Sequence, residues 1–467
     1  MTLPAQSDLD TPATSAPAWL QEPAAAHPIL GERSQGRRAA AFLFFLSTTA
    51  VLFIRPADLL PELADLPIYE ILILACLAAA MPEVLDQLKP HSLAGAPITL
   101  CVVGILAAIA LSHASHFQFA ETWTDGIEFT KVLLYYLLLV AVIDTAARLR
   151  QFLACLALCI AMLAAIPLLQ HHGLIDLGTV EALDERSVDH NSGQEVIFTR
   201  LQGAGLFHDP NDLCHILGTG VLLCLAGLDT GHSRARRALW AVPLAMLLWA
   251  MVLTQSRGGV LALGAGLAAV GLMRFGWKKS LVLGAIVAPA LLSLMSGRQT
   301  DISLETETGQ ERIQLWSDAL DLFHANPVLG VGEGSFEKAT GLVVHNSFVQ
   351  CFVELGWVGG TCFLGAFYLA LRILLSQPIP SAFAPLRPYM AAAIGAYVVG
   401  MMSLTRSYFV PTYLMLGMAT AYSRAAPAAG GAAGARVSGR LLRELAAVSI
   451  IFLVLAHFWV RASVHWQ

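Results

Sequence analysis

One pattern leaves this chain few options: apolar runs of roughly 17–25 residues recur along almost its whole length. They fall near residues 39–54, 67–82, 95–112, 131–146, 151–170, 207–228, 238–254, 258–273, 280–296, 346–371, 388–405, 409–423 and 444–460. A helix of that length crosses a hydrocarbon core of about 30 Å. It also satisfies its own backbone hydrogen bonds where no water can reach them. The alternating polarity of a membrane β-barrel is absent. The expected fold is therefore an all-α integral membrane protein, a polytopic bundle of about 12–13 transmembrane helices. Composition agrees: 13% of the 467 residues are charged and 56% are hydrophobic, whereas a soluble domain carries about 25% charged residues.

The basic residues set the expected orientation. With the N-terminus cytoplasmic, most of the 28 lysines and arginines lie on the cytoplasmic side, in segments such as "RLR" (148–150), "HSRARR" (232–237) and "RFGWKK" (274–279). Most of the 33 acidic residues lie on the other side. Residues 1–38 are polar and lack the basic start and short apolar core of a cleavable signal peptide, so they read as a disordered cytoplasmic tail. The membrane domain spans 39–424, with long outer segments at 171–206 and 297–345. Residues 425–443 ("AAPAAGGAAGARVSG" and onward) read as a flexible cytoplasmic linker, and 444–467 as a last transmembrane helix and tail. The eight cysteines lie in or beside apolar runs without a C-x-x-C pair, which makes them small hydrophobes of the bundle.

The second outer segment contains "GQERIQLWSDALDLFHANP". Ile313, Trp316, Leu320 and Phe323 recur every three or four positions and form one apolar stripe on a helix. Asn326-Pro327 ends it, and such a helix is suited to lie along the membrane surface.

Three arginines stand out on an otherwise acidic outer face. Arg257, in "LTQSRGGV", sits at the outer end of a tight hairpin, and Gly258-Gly259 leave room for close approach of another group. Arg200 and Arg312 also lie near span ends. A guanidinium offers a fixed fork of donors that matches phosphate oxygens. The plainer reading pairs each with an acidic neighbour or a lipid headgroup. His345, in "VVHNSF", sits at the mouth of a span, where an imidazole serves as a general base or a neutral donor. Asn346 or Ser347 suits the helix cap. Glu354, nine residues deeper, is expected to have a structural partner on a neighbouring helix. In "FHDPNDLC", Asp209 suits an N-cap and Pro210 the first turn, while Asn211 or Asp212 is a candidate for binding substrate hydroxyls.

No Walker loop, H-E-x-x-H or C-x-x-C site is present, so no metal and no cofactor is expected. The only D-x-D is Asp8-Leu9-Asp10 in the tail, a poor place for nucleotide-sugar chemistry. A net charge of −5 and the apolar composition point to membrane lipid, not nucleic acid, as the surroundings.

Taken in order, Arg200 and "FHDPNDLC" (207–214), "SRGG" (256–259), "GQERIQLWSDALDLFHANPVLGVGEGSF" and "HNSFVQCFVELGWVGG" resemble the O-antigen ligase and O-antigen polymerase superfamily of bacterial membrane glycosyltransferases. The resemblance covers roughly residues 195–365 in motifs and the whole chain in hydropathy. It implies a GT-C-like bundle with a helical periplasmic loop, in the bacterial inner membrane, its active site facing the periplasm. It implies an inverting, metal-independent transfer of a glycan from an undecaprenyl-diphosphate carrier to a glycan, lipid A-core or protein acceptor. Carried over residue by residue, Arg257, Arg200 and Arg312 are its diphosphate-binding arginines and His345 its catalytic base. Asn211, Asp212 and Asn346 are further candidate substrate contacts. A transporter or flippase for a polysaccharide or lipid-linked glycan is the alternative reading, and a non-catalytic membrane scaffold a third. Ligase and polymerase stay open, because no residue names the acceptor.

Overall fold

The computed structural model describes residues 28–63, 65–177, 182–188, 195–231, 233–294, 307–376, 383–425 and 437–464. In chain order its helices are α1 (Pro28–Ile54), α2 (Pro56–Leu59), α3 (Ile68–Gln87), α4 (Pro90–Ala94), α5 (Pro97–Ser115), α6 (Phe119–Val142) and α7 (Ala146–His171). After a hairpin of β1 (Leu183–Val188) and β2 (Glu195–Arg200) come α8 (Pro210–Thr230), α9 (Arg234–Thr254), α10 (Arg257–Leu294), α11 (Glu307–Ala325) and α12 (Ser335–Thr340). The chain closes with α13 (Ser347–Ser376), α14 (Arg387–Met401), α15 (Val410–Ala425) and α16 (Gly439–Ser463).

Among the described residues nine helices are long and apolar enough to cross a membrane, and the protein is an all-α polytopic membrane bundle. Three expected spans fall short of that measure for local reasons. The first half of α6 carries charge at Glu121, Asp125, Glu128 and Lys131, and α14 and α15 have only 15 and 16 residues. All three are nonetheless central: Tyr135, Tyr136, Met390, Tyr413 and Leu416 are fully buried. Buried tyrosine hydroxyls find partners between helices, Tyr135 with Thr49 at 2.9 Å and Tyr136 with Thr99 at 2.9 Å and Thr420 at 3.0 Å. An unpaired hydroxyl there would cost about 1–3 kcal/mol.

Several boundaries differ from expectation. Helix α1 starts at Pro28, well ahead of residue 39, and α16 starts at Gly439, inside the expected linker. The rest of the tail (1–27) and the centre of the linker (426–436) lie outside the described residues. The outer segment 171–206 is not free of strand: Leu183 pairs with Arg200 and Asp184 with Thr199 in an antiparallel ladder. The run Val196-Ile197-Phe198-Thr199 supplies the β-branched and aromatic residues that favour it.

Two long helices are broken at glycines. In α10 the backbone at Gly276 leaves the helical region (φ 75°, ψ 168°), and a Cβ on Gly271 would lie 3.1 Å from Ser280 Oγ. Residues nine apart on a straight helix are about 13 Å apart, so α10 is a hairpin whose arms correspond to the expected spans 258–273 and 280–296. In α13 the break is Gly356 (φ 63°, ψ −161°), a conformation that L side chains rarely adopt. The freed backbone groups are taken by the loop after α11. Trp357 N donates to Pro327 O at 2.8 Å, Val331 N to Val353 O at 3.1 Å and Gly332 N to Glu354 O at 2.9 Å. "NPVLGVGEG" is thus a structural insert in the bundle wall. Glu354 is 1% exposed and accepts from Gly334 N at 3.0 Å and Tyr408 Oη at 2.9 Å, so its partners are structural.

The apolar stripe of α11 is turned into protein, not onto a membrane surface. Ile313 and Leu320 cluster with Val460 of α16, and Phe323 packs on Phe352 of α13. Trp316 packs against Trp459 with tilted rings, centroids 5.1 Å apart, and Gln310 donates to Ser463 O at 3.2 Å. The last helix therefore forms the outer support of α11.

Candidate active site

At one end of the bundle four turns meet. The first begins α8. Asp209 caps it by accepting from Asn211 N at 2.7 Å and Asp212 N at 3.3 Å, with Pro210 as the first helical residue. The N-terminal amides are thereby satisfied and the Asn211 and Asp212 side chains are held in fixed directions.

Arg200, at the end of β2, is 5% exposed. Its Nε donates to Thr254 O at the end of α9 (2.9 Å), Nη1 to Glu185 (3.0 Å) and Nη2 to Asn211 Oδ1 (2.9 Å). A cation at a helix C-terminus is favoured by the exposed carbonyls there. Here it also ties hairpin, α8 and α9 into one wall. These contacts engage Nε, Nη1 and Nη2 of Arg200 and hold Asn211 in place.

The second turn is Gln255-Ser256, with Gln255 in the left-handed region (φ 51°) ahead of Arg257, the first residue of α10. Arg257 is half-buried. The room left by the two glycines after it is occupied by protein: a Cβ on Gly258 would lie 2.7 Å from Ser403 Oγ, and one on Gly259 2.3 Å from Cys214 Sγ. They let α10 approach α8 and the α14–α15 turn, and both line a small pocket.

That pocket, with a cavity volume of about 30 Å³, lies between Asn211 and His215 of α8, Ser256, Gly258 and Gly259, Arg312 of α11, and Gly400, Ser403 and Leu404 at and beyond the end of α14. That is far below the roughly 300–1,000 Å³ of typical ligand sites, room for about one water-sized group and not for a whole glycan. The structure thus brings Arg312, Asn211 and the turn carrying Arg257 to one place from segments far apart in sequence.

His345 forms the third turn, in the left-handed region (φ 53°), with its N–H donated to Thr405 Oγ1 at 2.8 Å. Asn346 is 1% exposed, and its Oδ1 accepts from Phe348 N and Val349 N, both at 3.1 Å. That geometry makes it the cap of α13. Ser347 Oγ donates to Leu404 O at 2.6 Å and accepts from Arg406 N at 2.9 Å. On the other side, Trp316 Nε1 donates to Val344 O at 2.8 Å, which sets α11, and Arg312 one turn earlier, against His345. Burial, and then the Arg312 charge, push the imidazole down to about 4, so it is neutral at pH 7.

The fourth turn supplies the residue that sequence reasoning missed. Arg406 Nε donates to Asp212 Oδ1 at 2.7 Å and its Nη2 pairs with Oδ2. Asp212 is therefore already engaged by a cation. The available signal was the acid itself: a carboxylate in the first turn of an apolar helix requires a partner, and "LTRSYF" offers an arginine between two apolar runs. Behind the site, Glu333 is half-buried with its Oε2 covered and unpartnered among the described residues, and burial, then the Glu354 charge, push it up to about 9. No group of histidine, cysteine and acidic residues among the described ones is placed to hold a metal ion.

Residues 242–364 match the family model described as O-antigen ligase. This stretch contains the Ser256–Gly259 turn, α11 with Arg312, and His345 with the broken helix α13. No curated protein matches the chain.

Proposed function

We propose that this chain, a membrane protein whose residues 242–364 match the O-antigen ligase family model, moves a glycan from an undecaprenyl-diphosphate carrier to an acceptor hydroxyl at the periplasmic face of the bacterial inner membrane. The observation that carries this reading is the convergence of Arg312, Asn211, Ser256, Gly258 and Gly259 on one pocket, with the neutral His345 imidazole close enough to feel the Arg312 charge.

The donor brings its own leaving group. As the bond from the anomeric carbon to the diphosphate oxygen breaks, negative charge grows on the diphosphate. Arg312 and Arg257 are the cations assigned to stabilise it, with donors already in place before the reaction. The acceptor hydroxyl attacks from the opposite face of the sugar, so the anomeric centre inverts. His345 takes the hydroxyl proton as the new glycosidic bond forms. An anion beside Arg312 offsets the charge that holds His345 down, so donor binding itself raises the imidazole's proton affinity toward the working range. Arginine charges do the work a metal would do, and the reaction proceeds without one.

The test uses purified full-length protein in liposomes, with an undecaprenyl-diphosphate-linked glycan, candidate acceptors and excess EDTA. A new glycosidic bond with release of undecaprenyl diphosphate is expected. Donor crossing the bilayer chemically unchanged would replace this reading with a flippase. The acceptor end of the product (lipid A-core, a longer glycan or protein) separates ligase from polymerase and from protein glycosylation.

A further inference from the structure

The end of the bundle away from this site holds a larger cavity, open between α7, α8, α9, α10 and the turn into α14, with a volume of about 1,020 Å³. The 21 residues of α9 separate the two ends by about 30 Å. Three arginines from three helices line it, Arg150, Arg236 and Arg274, against one carboxylate, Asp229. Asp229 is ion-paired to Arg274, which also donates to Tyr389 Oη at 3.1 Å. The described lining therefore carries more positive than negative charge. Its remaining wall is apolar, with Trp240, Met273 and Leu386.

We propose that this cavity binds the headgroup of an anionic phospholipid, its phosphate oxygens held by Arg150, Arg236 and Arg274. Guanidinium forks match phosphate oxygens, and basic pockets between transmembrane helices hold such headgroups. A lipid is favoured over a free phosphate because the helices that carry these arginines are apolar on their outer faces. Leu158 of α7, and Leu239 and Val242 of α9, are 54%, 73% and 71% exposed. They give acyl chains a path beside the cavity. The proposal is independent of the transfer reaction, since it uses no residue of the site at the other end.

Delipidated full-length protein in detergent is titrated, in native mass spectrometry, with cardiolipin, phosphatidylcholine and inorganic pyrophosphate. Cardiolipin is expected to bind at the lowest concentration, and Arg150→Gln with Arg236→Gln to weaken it about tenfold or more. The exposed pair Arg440→Gln with Arg443→Gln is the control, expected to leave binding unchanged. If the first double variant is not monodisperse, Arg236→Gln alone, at an exposed position, is expected to lose about threefold to fivefold. Unchanged cardiolipin binding in the folded variants, or equal binding of phosphatidylcholine, overturns the proposal. Displacement of cardiolipin by equimolar pyrophosphate also overturns it, in favour of a soluble phosphate ligand.

Discussion

Arg406 and Asp212, 194 residues apart, form a two-pronged ion pair that locks the α14–α15 turn onto the start of α8. Asp212 is 2% exposed in its side chain and Arg406 35%. Removing the cation strands a buried carboxylate, which costs about 3–5 kcal/mol for a fully buried pair. Partial exposure of Arg406 lowers this to about 2–3 kcal/mol. Arg406→Ala is expected to lower the thermal midpoint in detergent by several degrees and to reduce transfer. Arg406→Gln with Asp212→Asn, which leaves no unpaired charge, is expected to recover most of the stability. A double variant no more stable than Arg406→Ala would show that the pair is not what holds the turn.

The proposed role of His345 as the base sets the expected pH profile of transfer. Its folded pKa lies below the ordinary value, so the neutral form is favoured in the folded chain. The associated stability is present above about pH 6.5 and is lost as pH falls toward 4, where the unfolded chain binds a proton and the folded chain does not. In kcat/KM, which reports the free enzyme, the acid limb is expected near pH 4. Arg312→Gln removes one cause of the depression, and its acid limb is expected to move up by a measurable fraction of a pH unit while kcat/KM falls at least about tenfold at neutral pH. An acid limb at the same pH in both proteins would remove Arg312 from the neighbourhood of the base.

How much of this was legible in the chain depends on whether the signal was local. Asp209-Pro210 announces a helix start because a cap and its helix are adjacent in sequence, and the structure has that cap. "HNSF" announced both a histidine at a helix mouth and its cap. Gly258 and Gly259 announced close approach, but a glycine does not say what approaches, and here it is Ser403 and Cys214. The Arg406–Asp212 pair, the Arg200–Glu185 contact and the cover of α11 by α16 each join segments that share no local pattern. Periodicity found the stripe of Ile313, Trp316 and Leu320 without revealing whether lipid or Val460 lay against it. The hairpin was hidden because its strands have six residues each and one is largely charged.

Glu333 predicts a pH dependence of the opposite sign. A carboxyl whose folded pKa is raised, here to about 9, favours the protonated form in the folded chain. Its contribution is full below the unfolded value of about 4.3 and is lost as pH rises through the folded value. The thermal midpoint is expected to fall between pH 7 and 9. Glu333→Gln, which keeps the shape and cannot ionise, should hold its midpoint nearly constant over that range. A variant whose midpoint falls as steeply as that of the parent would assign the dependence to another group.

Under the proposed reaction, the support of α11 by α16 is expected to make α16 a determinant of transfer although it supplies no residue to the pocket. Trp459, Val460 and Ser463 hold Trp316, Ile313, Leu320 and Gln310, and Trp316 in turn holds Val344 beside His345. Truncation before Gly439 uncovers the apolar face of α11 and frees the helix that carries Arg312. Misplacing one group of a reacting constellation by about 1 Å can cost a hundredfold in rate, so the truncated chain is expected to lose at least about tenfold in kcat while remaining membrane-inserted. Trp316→Phe tests the same path with a smaller change. It keeps the apolar ring and removes the donor to Val344 O, a loss of about 0.5–1.5 kcal/mol, and is expected to lower kcat more than it lowers the thermal midpoint. Full activity in both proteins would mean that α11 is positioned by α13 alone.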